Sequence, residues 1–288
     1  MRVEKFNAKS NSKVSILIGQ TFPMLSFSAI KSLLKNKDVK INGKRISADE
    51  FANVGDEICF YVQDKLLGSV DIIFEDENII VVNKPRKIEV QSDSGLSLEK
   101  MVSEQSHKSV YAVHRLDLNT TGLVVFAKNQ ESKIALDDAF KRRTIEKFYL
   151  ALVAGNMESG SKKLTAYLSK NDKLGKVKIS DFPQKSYEKI ETWYDLLQNY
   201  ENFALVRVEL VTGKTHQIRA HFAHIGHPIL GDEKYGDFKI NSEMKLKYQC
   251  LTAEKIIFHF EKASPLAYLD KTEISLPQEK IDFLKFCK

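Results

Sequence analysis

Short apolar runs bounded by polar turns recur along the chain, and they constrain the fold more than any other feature of the sequence. Runs of this kind predict β-strands, here over residues 58–62, 71–74, 79–83, 123–126, 148–153, 190–197 and 204–211. An amphipathic helix is predicted over residues 130–143, with Ile134, Leu136 and Phe140 facing inward, and another over residues 97–106. Residues 160–178 are rich in lysine and predict a surface hairpin or a flexible insertion. The pattern as a whole predicts an α+β protein.

Composition and cysteine spacing exclude several classes of protein. Gly and Pro number only 13 and 6 in 288 residues and 43% of the side chains are apolar, which excludes extensive disorder. No apolar run reaches the roughly 18–20 residues that a membrane span needs, and the N-terminal residues lack the apolar core of a signal peptide. Cys59, Cys250 and Cys287 are far apart and odd in number, so neither a disulfide framework nor a clustered zinc site is indicated. We therefore expect a soluble cytoplasmic protein.

Residues 1–66 form a small basic segment that carries +4 of the chain's net charge of +6. Ser26 precedes apolar residues at helical spacing and predicts a helix N-cap, while Asn42-Gly43 predicts a two-residue hairpin turn. A basic unit beside a nearly neutral one is typical of polyanion binding, although a lysine-rich surface also serves solubility alone. The cations expected at the edge of the helix and hairpin are Lys31, Lys35, Lys40, Lys44 and Arg45.

The sequence HRLDLNTTG at residues 114–122 stands directly before the predicted strand at 123–126. A histidine, an arginine and an aspartate in a polar turn that leads into a buried strand are typical of a catalytic loop. A protein-kinase loop is excluded because Leu116 separates Arg115 from Asp117 and no glycine-rich loop precedes it. The alternative is structural, with Asp117 capping a turn and Arg115 at the surface.

A second polar cluster, VTGKTHQIRAHFAHIGHP, occupies residues 211–228 and predicts a strand end, a turn at Gly213 and a short helix. It does not complete a phosphate-binding loop, because the first glycine of that motif would fall at Val208. Its histidines lack the spacing of a zinc site and have no acidic residue among them, so structural or RNA-facing roles are favoured. Arg219 lies one helical turn from His216 and can project a cation towards a carboxylate.

Together these segments resemble the RluA-type pseudouridine synthases. Residues 114–122 resemble the family's aspartate-bearing HRLD signature, residues 146–153 its strand with an active-site tyrosine, and residues 212–221 its TGRTHQIR motif. Residues 82–85 resemble the family's strand-ending NKP, and residues 226–236 its glycine-rich tail. The resemblance implies the pseudouridine synthase fold, a mixed and largely antiparallel central sheet flanked by helices and loops.

Residues 12–63 resemble the S4 RNA-binding domain, on the basis of a helix followed by a hairpin at Asn42-Gly43 and a strand entered through residues 54–58. This second resemblance implies a small α/β RNA-binding domain over residues 1–66. The catalytic domain would then extend over residues 67–288.

The synthase resemblance implies an isomerase that breaks the N1–C1′ bond of a uridine in RNA, turns the base and rejoins it through C5, without a metal or organic cofactor. It assigns the nucleophile or base to Asp117 and the ring against the target base to Tyr149, and we expect Arg219 to be the cation beside Asp117. A stacked base is out of reach, so the nucleotide must be flipped out, with Arg115 filling the space and His114 bracing the loop. The other expected substrate-binding residues are Lys84, Thr120, Lys214, Thr215, His216, Gln217 and His221.

Large-subunit ribosomal RNA is the substrate that this pairing of domains implies, and residues 90–93 and 264–271 most resemble the RluC branch of the family. Transfer RNA is the alternative substrate. Two other functions stay open: a non-enzymatic S4-type factor in ribosome assembly, and a histidine-liganded metal hydrolase that the histidine spacing disfavours. We expect a monomer that binds RNA and neither a membrane nor a metal.

Overall fold

The computed structural model of the chain describes residues 2–23, 25–62, 69–92, 96–171 and 175–287. The chain forms two compact units, one of residues 1–71 with 87–110 and the other of residues 72–86 with 111–288. The predicted domain boundary after residue 66 lies outside the described residues, as does Asp93 of the loop at residues 90–93. The division into an S4-like and a catalytic domain therefore stays a prediction.

The described part of the first unit combines a small antiparallel sheet with three helices. Its strands are β1 (Arg2–Asn7), β2 (Ser12–Lys13), β3 (Val39–Ile41), β4 (Lys44–Ile46), β5 (Phe51–Ala52) and β6 (Glu57–Val62), and its helices are α1 (Val14–Thr21), α2 (Phe27–Lys35) and α3 (Leu98–Gln105). Four strands form a sheet in the order β1-β6-β3-β4, and β2 pairs separately with β5. The apolar side of α2 is buried through Ile30, Leu33 and Leu34.

Two local predictions in this unit are confirmed. Ser26 is the N-cap of α2, where its hydroxyl oxygen accepts a hydrogen bond from the backbone N–H of Ala29 at 3.2 Å. Asn42 and Gly43 connect β3 to β4 with φ values of +48° and +80°, the left-handed pair that a two-residue hairpin turn needs.

The second unit is built on one large sheet. Its strands are β7 (Asp71–Glu75), β8 (Ile79–Lys84), β9 (Tyr111–Ala112), β10 (Thr121–Ala127), β11 (Ile145–Ala154), β12 (Ser161–Asn171), β13 (Lys176–Ser180), β14 (Glu188–Asn199), β15 (Phe203–Glu209), β16 (Leu251–Phe258) and β17 (Glu273–Ser275). Its α-helices are α4 (Gln130–Arg142), α5 (Gln217–His224) and α6 (Phe238–Glu243), and short 3-10 helices cover Ala267–Leu269, Gln278–Lys280 and Asp282–Cys287.

The strands of this sheet run in the order β13-β12-β14-β15-β11-β16-β10-β8-β7, with β17 added beside β16 and β9 beside β10. The pairs β13–β12, β12–β14, β14–β15, β15–β11, β11–β16 and β10–β8 are antiparallel, whereas β10 and β16 are parallel. The predicted fold class, a mixed and largely antiparallel sheet flanked by helices, is confirmed. The strands predicted from the apolar runs are all present, with ends shifted by a few residues.

The centre of the sheet is buried on both faces. In β8 and β10, residues 79–82 and 123–127 are fully buried, whichever way their side chains point. A strand covered on both sides has a continuous apolar run in its sequence, as both of these strands do. None of the helices in the described ranges has the length and apolar character that a membrane crossing requires.

Helix α4 has the predicted position, but one of its predicted core residues is wrong. Leu136 is fully buried, whereas Ile134 is 62% exposed. Residues two positions apart lie about 200° apart around an α-helix, so they cannot share its buried side.

The lysine-rich stretch at residues 160–178 is the hairpin of β12 and β13, one of the two structures predicted for it. These strands pair antiparallel from Tyr167 with Ser180 to Asn171 with Lys176. Residues 172–174 lie outside the described part of the chain.

Candidate active site

Asp117 lies in the polar loop between β9 and β10, and His114 fixes this loop to the sheet. The Nε2 atom of His114 accepts a hydrogen bond from the backbone N–H of Val125 at 2.9 Å, and its ring stacks on Phe140 with the ring centroids 4.6 Å apart. Burial, aided by the charge of Lys147, lowers the pKa of His114 to about 3. A neutral imidazole is what this contact requires, because an acceptor nitrogen carries no proton. His114 therefore connects the loop to β10.

Lys84 supports the same loop from inside the protein. It is fully buried at the end of β8, and its amine donates to the carbonyls of Pro85 at 2.8 Å and Leu118 at 3.0 Å. Burial lowers the pKa of this amine to about 7, although the charge of Asp117 opposes the shift. Lys84 was expected to bind substrate, but its amine is committed to the backbone beside Asp117.

The loop ends at Gly122, a position that leaves no room for a side chain. Its φ is +106°, and a Cβ atom there would lie 2.2 Å from the carbonyl oxygen of Ala253. Gly122 pairs with Ala253 where β10 and β16 run parallel. No larger residue fits this approach without moving one of the strands. Thr120, which precedes this turn, is buried and accepts a hydrogen bond from the Gln249 amide at 2.5 Å.

Arg219 and Asp117 form the ion pair that the sequence predicted. The Nη1 atom of Arg219 donates to Oδ2 of Asp117 at 2.9 Å, although the two residues are 102 positions apart. Asp117 projects from the loop, and Arg219 projects from the first turn of α5. Arg219 is buried, with only 6% of its surface exposed. The Asp117 side chain keeps 22% of its surface exposed, so it is open to a substrate.

A second carboxylate, Asp232, holds the other side of the same guanidinium. Its oxygens accept from Nε of Arg219 at 2.6 Å and from Nη2 at 2.9 Å, a bidentate pair. The backbone N–H groups of Lys234 and Tyr235 also donate to Asp232. Gly231 makes room for this turn, because a Cβ there would lie 2.1 Å from the Tyr248 carbonyl oxygen. Sequence reasoning placed Asp232 in a motif but gave it no role.

The two carboxylates keep Arg219 charged in a buried place. Burial by itself lowers the pKa of Arg219, but the hydrogen bonds and charges of Asp232 and Asp117 outweigh it and raise the pKa. For Asp232 the signs are reversed. Burial raises the pKa of this carboxyl, but Arg219 and the backbone N–H groups of Lys234 and Tyr235 outweigh burial and lower the pKa. The site therefore holds a permanent cation against Asp117.

His216 and Tyr235 close the site beside this pair. His216 stands immediately before α5 with a left-handed φ of +54°, and its Nε2 atom lies 4.0 Å from Oδ2 of Asp117. Its Nδ1 atom is 3.0 Å from the Tyr235 hydroxyl, which also accepts from the backbone N–H of Val177 at 2.8 Å. Burial lowers the pKa of His216, with the charge of Asp117 acting in the opposite direction. Tyr235 is a further residue of this site that sequence reasoning left without a role.

Two residues predicted to bind substrate, Gln217 and His221, hold α5 against β14. Gln217 is 2% exposed and forms hydrogen bonds with Thr212, Lys214, Glu191 and Thr192. His221 is equally buried, with Nδ1 at 3.0 Å from the Thr192 hydroxyl, and burial lowers its pKa to about 4.

Tyr149 faces Asp117 from β11. It is 6% exposed, and burial together with the negative charge of Asp117 raises the pKa of its hydroxyl well above the ordinary value of 10.0. The pairing of β11 with β16 shifts register between Phe148 and Tyr149, so that Glu254 is an extra residue in β16. Such bulges are frequent next to active sites, where they re-aim a side chain.

These residues surround a cavity of about 390 Å³, within the range of sites for small ligands. The predicted residues that line it are His114, Arg115, Asp117, Thr120, Tyr149, Lys214, Thr215, His216, Gln217 and Arg219. Arg143 and Lys147 also line it, although sequence reasoning did not select them. Five of the lining residues are Arg or Lys and Asp117 is the one carboxylate among them, so the cavity suits a polyanion.

The cations predicted in the first unit are solvent-accessible, and two of them meet at one aromatic ring. Lys40 and Arg45 lie opposite each other in the hairpin of β3 and β4. Lys40 Nζ is 2.9 Å from the Tyr61 hydroxyl, and the Arg45 guanidinium lies 5.9 Å from the centre of that ring. Lys31, Lys35 and Lys44 are exposed.

Within the described ranges, no cluster of three or more His, Cys, Asp or Glu side chains could hold a metal ion. The four histidines of residues 216–227 are dispersed. His216 faces Tyr235, His221 faces Thr192, His224 pairs with Asp181 at 2.8 Å, and His227 contacts the Ala154 carbonyl.

An aspartate paired with an arginine in a cavity lined by five cationic side chains is a candidate enzyme site for an anionic substrate. A family model described as RNA pseudouridylate synthase matches residues 78–224. The chain is 32% identical to an uncharacterized RNA pseudouridine synthase of Mycoplasma capricolum subsp. capricolum, over 94% of this chain and 96% of that relative. It is 30% identical to ribosomal large subunit pseudouridine synthase C of Rickettsia bellii, over 87% of this chain and 91% of the relative.

A solved structure shares the fold. Human RNA pseudouridylate synthase domain containing 1 superposes with a TM-score of 0.64 at 22% identity, over 76% of this chain and 87% of that chain. The chain belongs to the RNA pseudouridylate synthase family, as its motifs predicted. It is an RNA pseudouridine synthase, an isomerase.

Proposed function

We propose that this enzyme converts uridines of large-subunit ribosomal RNA to pseudouridines and that Asp117 is its catalytic carboxylate. The observation that carries the assignment is the 2.9 Å pair of Asp117 with Arg219, which lines the same cavity as Tyr149. Arg219 places a permanent cation against Asp117, next to the largely buried ring of Tyr149.

The reaction moves one bond and leaves the composition of the RNA unchanged. The N1–C1′ bond of the uridine breaks, the base turns, and a C5–C1′ bond forms. The proton on C5 is lost and N1 takes one up. Asp117 acts on the nucleoside when the N1–C1′ bond breaks, the Tyr149 ring lies against the base, and its hydroxyl is placed for proton transfer.

The target nucleotide enters the cavity flipped out of its helix. Asp117 lies in a cavity that a stacked base cannot enter, and flipping costs a few kcal/mol. Arg115 is exposed at the cavity two residues from Asp117, which places its guanidinium where it can take the position of the extruded base. The expected outcome for Arg115→Lys is retained phosphate binding with loss of flipping, because lysine lacks the planar guanidinium.

Large-subunit ribosomal RNA is the proposed substrate because relatives matched over most of this chain bear that substrate in their names. The first unit is proposed to be an S4-like RNA-binding domain, supported by its exposed cations around Tyr61. We further propose that the enzyme is a monomer and that it acts in the cytoplasm, where ribosomal RNA is found.

The test compares the wild-type protein with Asp117→Asn, which has nearly the same shape and no charge. Each protein is incubated with transcripts of large-subunit ribosomal RNA and, separately, with transfer RNAs, and pseudouridines are mapped by chemical derivatisation. We expect discrete sites in the ribosomal transcripts and a loss of rate of roughly a thousandfold or more in Asp117→Asn. Asp138→Asn, a change of the same kind at an exposed position of α4, is the control.

Three results would contradict parts of this proposal. If only transfer RNA is modified, the proposed ribosomal RNA substrate is wrong and transfer RNA is the substrate. RNA binding without any pseudouridine would favour an assembly factor, and an unchanged rate in Asp117→Asn would remove Asp117 from the mechanism.

A further inference from the structure

Two cations that the mechanism above does not use, Arg143 and Lys147, lie side by side on the wall of the active-site cavity. Arg143 ends helix α4 with a left-handed φ of +62°, and Lys147 follows in β11. Lys147 is half-buried, and its Nζ atom lies 5.9 Å from the centre of the Phe140 ring. Burial and the charge of Arg143 both lower the pKa of Lys147.

The charges around Lys147 are not balanced by the protein. No carboxylate of the described residues lies within 4.0 Å of the Lys147 amine, and Asp117, the acidic residue of the cavity lining, is bonded to Arg219. Lys214, another cation of the cavity lining, already has Glu188 as its partner. A partly desolvated lysine that faces a second cation is unfavourable unless an anion enters the cavity.

We propose that Lys147 and Arg143 form a phosphate subsite, which binds the phosphodiester next to the uridine under modification. This inference rests on the proposed function of the cavity, because it takes the ligand to be a flipped-out nucleotide of RNA. It adds a binding role for two residues beyond those that act on the base.

The position of Lys147 on its strand supports this ligand. Side chains two residues apart in a β-strand point to the same face and are separated by about 6.8 Å, so Lys147 stands beside Tyr149 on the cavity side. The phosphate of a nucleotide lies several ångströms from its base, so a base against Tyr149 leaves its phosphate within reach of a cation on the same cavity wall. The Lys147 amine lies next to Gly213 of the cavity wall, 3.6 Å from where a Cβ on that residue would stand.

The subsite is tested by RNA binding, which does not depend on catalysis. All variants are made in the Asp117→Ala background, and affinity for a short uridine-containing RNA is measured at several salt concentrations. Lys147→Gln is expected to bind roughly tenfold more weakly and to lower the slope of log affinity against log salt by about 0.7, the value for one lost phosphate contact on a single strand. Lys141→Gln removes the same charge from an exposed position near the end of α4 and is expected to change affinity little.

A scan of neutral phosphates identifies the ligand atom. Methylphosphonates, which carry no charge, replace the phosphates near the target uridine one at a time. The neighbouring 2′-hydroxyl is methylated to keep the linkage stable, and the control RNA has the same 2′-O-methyl group with an ordinary phosphate. In the parent protein one position adjoining the uridine is expected to be more sensitive than the others. In Lys147→Gln that position is expected to lose its extra effect, whereas Lys147→Arg is expected to keep it.

The proposal fails if Lys147→Gln binds as tightly as its parent, or if its weaker binding is the same for every methylphosphonate position. If Lys147→Gln does not fold, as judged by circular dichroism, the scan on the parent protein and Lys147→Arg decides, and equal sensitivity at all positions overturns the subsite. A wild-type enzyme that makes no pseudouridine yet passes the scan would refute the proposed function and leave the phosphate subsite standing.

Discussion

Arg219 reaches Asp117 through a single nitrogen atom, Nη1, because Asp232 accepts hydrogen bonds from both Nε and Nη2 of the same guanidinium. The arginine is thereby locked in one orientation before any substrate arrives. Of its two carboxylate partners, Asp232 is fully buried and Asp117 is partly open. Asp232 therefore positions the Arg219 guanidinium, whereas Asp117 can contact the substrate.

The first prediction concerns Asp232→Asn. The amide cannot accept a bidentate pair from Arg219, and a buried cation loses its main partner, which costs about 3–5 kcal/mol of the free energy of unfolding. We also expect the rate of pseudouridine formation to fall at least roughly tenfold, because Arg219 is free to reorient. Urea denaturation and single-turnover rates measure the two effects. Glu233→Gln, the exposed neighbour with the same charge change, is expected to alter neither; equal effects in both variants would contradict the positioning role.

The second prediction concerns the Tyr149 hydroxyl. Tyr149→Phe keeps the ring, so RNA affinity is expected to change less than about threefold, while isomerisation is expected to slow by roughly a hundredfold or more because the group placed for proton transfer is gone. Binding and single-turnover assays on the same RNA separate the two quantities. If binding and rate fall by the same factor, the hydroxyl contributes to RNA binding and not to proton transfer.

The third prediction concerns Gly122→Ala. A methyl group there meets the Ala253 carbonyl at 2.2 Å in a left-handed backbone conformation, so we expect the free energy of unfolding to fall by more than about 3 kcal/mol. Gly160→Ala has a φ of +85° and no atom within 4 Å of the new methyl group, and it is expected to cost only about 1 kcal/mol. Urea denaturation of both variants measures the difference. Similar losses would show that backbone strain alone matters.

The fourth prediction concerns pH. Burial lowers the pKa of Lys84 from 10.5 to about 7, so between these values the folded protein has released a proton that the unfolded chain still binds. The unfolded state binds more protons there, and the Lys84 contribution to the free energy of unfolding rises with pH by at most about 1.4 kcal/mol per pH unit. Urea denaturation of wild type and Lys84→Met from pH 6 to 10 should show the wild type gaining stability relative to the variant above pH 7. A constant difference would mean that the Lys84 amine stays protonated throughout.

The sequence by itself determined the strands and the chemical groups of the site. Residues 79–82 and 123–126 are recognisable as strands because burial on both faces demands a continuous apolar run. Asp117, Tyr149 and Arg219 stand within motifs of the family, and their types alone indicated an acid paired with a cation.

The tertiary structure decided which of these groups meet. Asp117 and Arg219 are 102 residues apart, and Arg219 approaches Asp232 through a turn whose shape depends on Gly231 meeting the Tyr248 backbone. Lys84 and His221 belong to the motifs, yet packing directs Lys84 to the carbonyls of Pro85 and Leu118 and His221 to Thr192. Composition and periodicity predict the secondary structure of a segment and which of its faces is buried. The convergence of distant side chains follows from how the sheet and helices pack, so only the folded chain shows it.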